Sequence, residues 1–337
     1  MNEKTKLIQV GVGAWGRNLL RNFSSLPDVE VIGLCDESEE TQERLRKQFP
    51  ALAVAADYRK LLDNLEVDAV VIATPPAYHY EIAKESLALG KDVFVEKPMT
   101  LAISEAEELV QLAEENKRIL MVGHIMEYHP AVVRMREYIE SGELGDIYYV
   151  YSTRVNLGKL RDVENALWSF APHDISMITY LLREKPTRVS ATGAAYLRED
   201  IEDVSFITLF FDSGTIAHIH TSWLDPHKIR RLTIVGSKKM AVLDDVEPQE
   251  KIRIYDKGVN IQQGYDTYGE YLSLRTGDIV IPAVKVQEPL RIECQEFVKA
   301  IKSRVPPITD GRDGLAVLRV LRAADSSMKE NGTPHKC

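Results

Sequence analysis

Three short stretches of this 337-residue chain, and a histidine beyond them, offer residue types that could do chemistry, at spacings that suggest which chemistry. Gly11-Val-Gly13-Ala14-Trp15-Gly16 ends an apolar run from Leu7 and opens a segment with Leu19, Leu20 and Phe23 at helical spacing. In a strand–turn–helix, the first glycine permits the tight turn, the second lets the backbone approach a pyrophosphate, and the third lets helix and strand pack closely. The helix N-terminus then offers free N–H groups to the phosphates. Asp36 lies 20 residues beyond Gly16, at the end of the next apolar run, where an acid accepts the ribose hydroxyls of NAD. A carboxylate there repels a 2′-phosphate, so NAD is expected over NADP. The other reading of this stretch is a glycine-rich turn of an unrelated α/β protein.

The second stretch is Thr74-Pro75-Pro76 with His79, at the end of the apolar run Asp68–Thr74. The third is Glu96-Lys97-Pro98, directly after Val93-Phe94-Val95. The carboxyl ends of parallel strands face the ligand crevice. A lysine there can hydrogen-bond a substrate hydroxyl and stabilise a developing alkoxide. Taken alone, the residues leave that reading beside a surface lysine next to a turn proline. His173 offers a candidate base. Ile175, Ile178 and Leu182 suggest a short helix from about Pro172, so His173 is expected at a helix N-terminus, whose dipole favours neutral imidazole. A histidine satisfied in the core is the alternative. His218 and His220 share one face of a strand with no third ligand nearby, so a structural or interface role is expected and no metal.

The elements that must position these groups alternate strand and helix through residue 122. Strands are expected over Leu7–Val12, Val29–Cys35, Asp68–Thr74, Asp92–Val95 and Arg118–Val122. Helices are expected over Ser38–Phe49, Tyr78–Leu89 and Ser104–Asn116, the last with a Ser104/Glu107 capping box. This rhythm predicts a doubly wound parallel sheet. Beyond about residue 123 the pattern changes to one helix after Pro130 and then long alternating segments: Ile147–Val155, Arg188–Leu197, Val204–Phe211, Thr215–Trp223 and Leu232–Leu243. Asp212-Ser213-Gly214 reads as a hairpin turn, and Arg312–Glu330 as a final amphipathic helix. The expected fold is α/β: a Rossmann domain over 1–123, then an α+β domain over 124–337 with a large, mostly antiparallel sheet.

Lys plus Arg is 42 and Asp plus Glu is 51, so the net charge of −9 argues against nucleic acid or anionic membrane as a partner. No uncharged apolar run reaches spanning length. Cys35, Cys294 and Cys337 lie far apart, which fits neither a metal spacing nor a disulfide framework and suits a reducing cytoplasm.

The glycine fingerprint, Asp36, Thr74-Pro75 with His79, and Glu96-Lys97-Pro98 occur in the order and spacing of the glucose–fructose oxidoreductase/inositol dehydrogenase family (Gfo/Idh/MocA). Leu167-Trp168-Ser169-Phe170-Ala171-Pro172-His173-Asp174 resembles the family's stretch carrying the active-site histidine. The resemblance implies reversible hydride transfer between NAD and a sugar or cyclitol carbinol, and an open second-domain sheet used to form a homodimer or homotetramer. It makes Lys97 and His173 the catalytic pair and leaves open which is the formal base. It places Gly11, Gly13, Ala14, Trp15, Gly16, Asp36, Thr74, Pro75, His79, Glu96 and Lys97 around NAD. The chain departs from the family at Ser169, where many members carry an aspartate four residues before the histidine.

Arg154-Val-Asn156-Leu-Gly158-Lys159, leading into Asn165 and Trp168, resembles family members that oxidise carbon 3 of UDP-N-acetylglucosamine or its uronate, on the way to 3-amino sugars. The resemblance implies a substrate site of Lys97, Arg154, Asn156, Lys159, Asn165, Trp168, His173 and Asp174. Lys159, Arg161 and Arg154 bring positive charge that suits a diphosphate. Tyr265, Tyr268, Tyr271 and Arg275 form a second aromatic–basic cluster. Each cluster also reads as a solvated loop or an oligomer contact. The rival functions are a dehydrogenase of a free sugar or inositol, an NAD-dependent glycosidase, and a non-catalytic NAD-sensing regulator.

Overall fold

The computed structural model describes residues 4–158, 164–261 and 272–337. Lys159, Arg161, Tyr265, Tyr268 and Tyr271 lie outside the described residues. The chain forms two compact units, Met1–Tyr128 with Gln287–Leu318, and His129–Val286 with Arg319–Cys337.

In the first unit six strands, β1 (Thr5–Val10), β2 (Val29–Cys35), β3 (Ala53–Ala55), β4 (Ala69–Ile72), β5 (Asp92–Val95) and β6 (Leu120–Val122), pair in parallel in the order β3-β2-β1-β4-β5-β6. This is the doubly wound order whose ligand crevice opens at the strands' carboxyl ends. All four residues of β4 are fully buried, as a central parallel strand covered on both faces requires. The helices are α1 (Gly16–Ser24), α2 (Glu39–Gln48), α3 (Tyr58–Asn64), α4 (His79–Ala88) and α5 (Ile103–Glu115). Ser38 caps α2 by accepting from Thr41 N–H at 3.3 Å. The expected Ser104/Glu107 box is not how α5 begins. The helix starts earlier, and Glu105 accepts from the Ala102 N–H at 3.3 Å.

The second unit contains α6 (Pro130–Glu140), β7 (Ile147–Val155), α7 (Ala166–Leu182), β8 (Arg188–Ala194), β9 (Val204–Phe210), β10 (Ile216–Ser222), β11 (Ile229–Gly236), β12 (Met240–Asp244), β13 (Ile252–Ile261) and β14 (Leu272–Val280). With β15 (His335–Lys336) they form a nine-stranded sheet in the order β14-β13-β12-β11-β7-β10-β9-β8-β15. β7 and β10 pair in parallel, and the other described pairings are antiparallel. The fold class is therefore as expected. Gly214, at φ +86°, makes the β9–β10 turn that Asp212-Ser213-Gly214 announces. Leu232–Leu243, read as one strand, is instead a hairpin. Gly236 N–H closes it onto the Lys239 carbonyl at 3.1 Å.

Two differences from the sequence reading bear on the site. First, α7 runs from Ala166 straight through Pro172, so the short helix expected from Pro172 is corrected to a longer one. Proline removes one hydrogen bond. Burial of Leu167, Ala171, Ile175 and Ile178 along one face outweighs that loss. Second, the units are not the continuous halves 1–123 and 124–337. After β14 the chain supplies α8 (Pro289–Ser303) to the first unit, where Phe297 meets Phe23 and Phe94 edge to face at 6.1 and 5.7 Å. The final helix α9 (Gly311–Lys329) gives its first turns to the first unit and the rest to the second.

Candidate active site

At the carboxyl end of β1, Gly11 has φ +88°, and a Cβ there would stand 2.5 Å from the Ala73 carbonyl oxygen. A Cβ on Gly16 would lie 2.3 Å from the Gly11 oxygen. Both positions are therefore held to glycine by the chain itself. Gly13 differs, because nothing lies within 4 Å of where its Cβ would be. That open space is what close approach of a pyrophosphate needs. Asp36 accepts from the N–H groups of Val12 at 2.8 Å and Ser38 at 3.1 Å, which fixes its carboxylate beside the glycine turn. The Thr74 hydroxyl, at the end of β4, is buried with no hydrogen-bond partner. Both the room at Gly13 and the unused hydroxyl fit a dinucleotide.

His79 is only 1% exposed, and its ring nitrogens face the carbonyls of Pro98 at 2.8 Å and Thr74 at 2.9 Å. Burial pushes its pKa down, against the pull of those two carbonyls. A neutral ring has a single N–H and donates to one of these carbonyls at a time, which packs His79 between the Thr74-Pro75 loop and the Glu96-Lys97-Pro98 turn. Lys97 is half-buried at the end of β5.

Glu96 is 8% exposed. Its carboxylate accepts from the Trp15 indole N–H and from the Lys97 backbone N–H at 3.3 Å. A Cβ on Gly123 would sit 2.9 Å from it, so the glycine after β6 makes room for the carboxyl group. Burial raises the Glu96 pKa to about 7, against the lowering pull of Trp15 and Lys97. Glu293, from α8, is fully buried with neither carboxyl oxygen hydrogen-bonded, and burial and the Glu96 charge hold its pKa well above the usual carboxylate range. In the same unit His124 donates to Asp313 at 2.7 Å, and His124, Glu127 and Asp313 bring one ligand atom each within 4.8 Å of one another. Sequence reasoning missed this buried cluster. Glu293 and Asp313 arrive from the far end of the chain, and no local pattern marks them.

In the second unit several of the expected substrate residues are engaged with partners inside the chain. Arg154 (7% exposed) makes a two-point ion pair with Asp174 (1% exposed), at 2.5 and 3.2 Å, and Ser152 also donates to Asp174 at 2.5 Å. That pair joins β7 to α7 and spends both charges internally. Asn165 is the N-cap of α7, accepting from Trp168 N–H at 3.0 Å and donating to Glu202 at 2.6 Å. The Arg322 guanidinium lies 5.0 Å from the Trp168 ring centroid. The Ser169 hydroxyl, where the family often has aspartate, donates to Glu164 at 3.0 Å. His173 sits seven residues into α7, so the expected helix-terminus dipole does not act on it. It is the one partly exposed residue between Ala171 and Ile178. Asn156 accepts from Arg230, a residue the sequence reading did not single out. Its register gives it away, since Arg230, Leu232 and Ile234 share one face of β11 and the two apolar ones are buried. His218 and His220 lie on the other face of the sheet, stacked with Phe206 at 6.4 and 4.5 Å.

A parallel doubly wound sheet with this glycine turn and acid defines a dinucleotide-binding oxidoreductase unit. The family model described as "Oxidoreductase family, NAD-binding Rossmann fold" matches residues 6–124, and the GFO/IDH/MocA C-terminal domain model matches 132–242. The chain belongs to the Gfo/Idh/MocA family; it is an oxidoreductase and its cofactor is NAD. It is 26% identical to the UDP-N-acetylglucosamine 3-dehydrogenase of Acidithiobacillus ferrooxidans, over 92% of each chain. A crystal structure of that enzyme superposes with a TM-score of 0.79 at 24% identity, covering 97% of this chain and 99% of that one. The chain is also 24% identical to a Bacillus subtilis scyllo-inositol 2-dehydrogenase (NAD(+)), over 99% of this chain and 96% of the other.

Two outcomes are expected. Asp36→Ala should narrow the preference for NAD over NADP by roughly tenfold in the ratio of Kd values, about 1.4 kcal/mol; an unchanged ratio would reject the role of Asp36. For Glu96, a pKa raised from 4.5 to about 7 means that the folded chain holds this proton more tightly than the unfolded one. The stability it contributes is full below pH 4.5 and is lost as the pH rises through about 7. The Tm of the wild type should therefore fall relative to that of Glu96→Gln between roughly pH 5 and pH 8. Parallel Tm profiles would show that Glu96 does not titrate in that window.

Proposed function

We propose that this oxidoreductase oxidises the carbon 3 hydroxyl of a UDP-N-acetylhexosamine, or of its uronate, to a 3-keto sugar nucleotide. The observation that carries this reading is the likeness to a UDP-N-acetylglucosamine 3-dehydrogenase over 92% of both chains. NAD, when bound, supplies the hydride acceptor. Gly11, Gly13 and Gly16 shape its phosphate site, and Asp36 receives its ribose hydroxyls. Lys97 hydrogen-bonds the reacting hydroxyl and stabilises the alkoxide as it develops. His173 takes the hydroxyl proton. A neutral imidazole is needed for that step, and its half-exposed place on α7 gives it access to substrate. A 3-keto product suits conversion to a 3-amino sugar, and pools of such nucleotides and of NAD put the protein in the cytoplasm. No helix among the described residues is long and apolar enough to cross a membrane.

A second reading is oxidation of a free cyclitol, supported by the likeness to scyllo-inositol 2-dehydrogenase. We also propose a homodimer or homotetramer formed through the uncovered face of the nine-stranded sheet. That face carries Tyr149, Tyr151, Phe206 and Ile216, each 42–46% exposed, while Val150, Ser152, Ala217 and Ile219 on the opposite face are buried. Apolar and aromatic exposure on that scale marks an interface.

A panel of UDP-N-acetylglucosamine, its uronate, myo-inositol and scyllo-inositol, followed by NADH absorbance, tests the substrate. Turnover of UDP-sugars is expected; turnover of the inositols alone would favour the second reading. With the active substrate, His173→Asn and Lys97→Ala should each lower kcat by roughly 100-fold or more while the Kd for NAD stays near wild type. Near-normal turnover at saturation would remove that residue from the chemistry. Tyr149→Glu combined with Phe206→Glu should yield a monomer in sedimentation, and an unchanged mass would reject the sheet-face interface.

A further inference from the structure

Arg230 is a guanidinium with no carboxylate at ion-pair distance among the described residues. It stands on β11 opposite Arg154 of β7, in register, on the sheet face that α7 covers. The carboxylate nearest that face, Asp174, is already bound at two points by Arg154. Asp245 is taken by His129 at 3.1 Å and Lys251 at 3.5 Å. Every hydrogen-bond partner of Arg230 among the described residues is neutral: the carbonyls of Val155 and Ile229, each at 2.8 Å, and the Asn156 side-chain oxygen. These bonds use three of the five N–H donors of a guanidinium and leave two.

The group is held firmly all the same. Its guanidinium carbon lies 5.2 Å from the centroid of the Phe170 ring, and Phe170 is one helical turn before His173 on α7. A Cβ on Gly158 would collide with the Asn156 amide nitrogen at 2.0 Å, so the glycine leaves the amide space to turn toward Arg230. Burial and the like charge of Arg154 push the Arg230 pKa down to about 10, against the weaker raising pull of Asp174 and Asp245. A half-buried cation facing a second cation, with no carboxylate at ion-pair distance among the described residues, is costly in the free protein. An incoming anion removes that cost and accepts the two remaining donors.

We propose that Arg230, held by Asn156 and Phe170, is the binding site for an anionic group of the substrate, a phosphate or a carboxylate. This deepens the reading of the chain as a sugar-nucleotide dehydrogenase and rests on it for the identity of the substrate. It also replaces Arg154 in the anion-binding part, since Arg154 is committed to Asp174.

The test is calorimetry on the full, NAD-loaded protein with UDP-N-acetylglucosamine, its uronate, myo-inositol and inorganic pyrophosphate. Arg230→Gln should weaken UDP-sugar binding by roughly 10- to 100-fold and leave myo-inositol unaffected. Arg230→Lys should recover part of the loss. Loss of pyrophosphate binding in Arg230→Gln assigns the site to a phosphate, and a loss confined to the uronate assigns it to a carboxylate. Wild-type affinity of Arg230→Gln for every anionic probe overturns the proposal, as does a wild type that binds none of them. Pyrophosphate binding that depends on Arg230, found together with turnover of inositols only, sinks the sugar-nucleotide reading and keeps the anion site. Should Arg230→Gln not fold, phenylglyoxal labelling of the wild type answers the same question. UDP-N-acetylglucosamine should protect Arg230 from labelling, and equal labelling with and without it rejects the assignment.

Discussion

A carboxylate taken almost wholly out of water, Glu96, holds the chemistry-bearing end of the first unit together. It receives the indole N–H of Trp15 from the glycine loop after β1 and the backbone N–H of Lys97 from its own turn after β5. It fits only because Gly123, just past β6, has no Cβ. The carboxyl ends of three parallel strands thus share one buried acceptor, and Lys97 is carried on the same turn. A buried carboxyl group is stable only when hydrogen-bonded, paired or protonated. Glu96 has the hydrogen bonds, and its charge opposes the ionisation of a second buried carboxyl, Glu293. Position and protonation of this turn are therefore one problem, set by the same desolvation.

The second unit solves a similar problem with an ion pair. Arg154 and Asp174 join the central strand β7 to the helix that carries His173, each cancelling the other's burial cost. That leaves Arg230, one strand over, with neutral hydrogen-bond partners only among the described residues. The contrast between two neighbouring arginines, one ion-paired and one held among the described residues by neutral groups, separates scaffold from candidate ligand contact more sharply than charge counting does.

Much of the first unit was legible because its constraints are local. Gly11 and Gly16 are glycine for reasons that act within a few residues of the turn, and the fully buried β4 reads as an unbroken apolar run. The hairpin at Asp212-Ser213-Gly214 is local in the same sense. What misled was also local. Pro172 reads as a helix start, yet the helix passes through it, because burial along the α7 face outweighs one missing hydrogen bond. The Asn165 cap, three residues before Trp168, was the signal for the true start.

By itself the sequence determined the doubly wound unit with its glycine turn and acid, and the large mixed sheet after it, because periodicity and turn chemistry are short-range. Only the tertiary structure decided that α8 returns to the first unit and brings Glu293 to Glu96, that Arg154 belongs to Asp174, and that Arg230 has no carboxylate at ion-pair distance among the described residues. Those outcomes depend on which charges meet away from water. The strength of that pairing is set by burial and distance between residues far apart in the chain, and neither quantity is written in any local pattern.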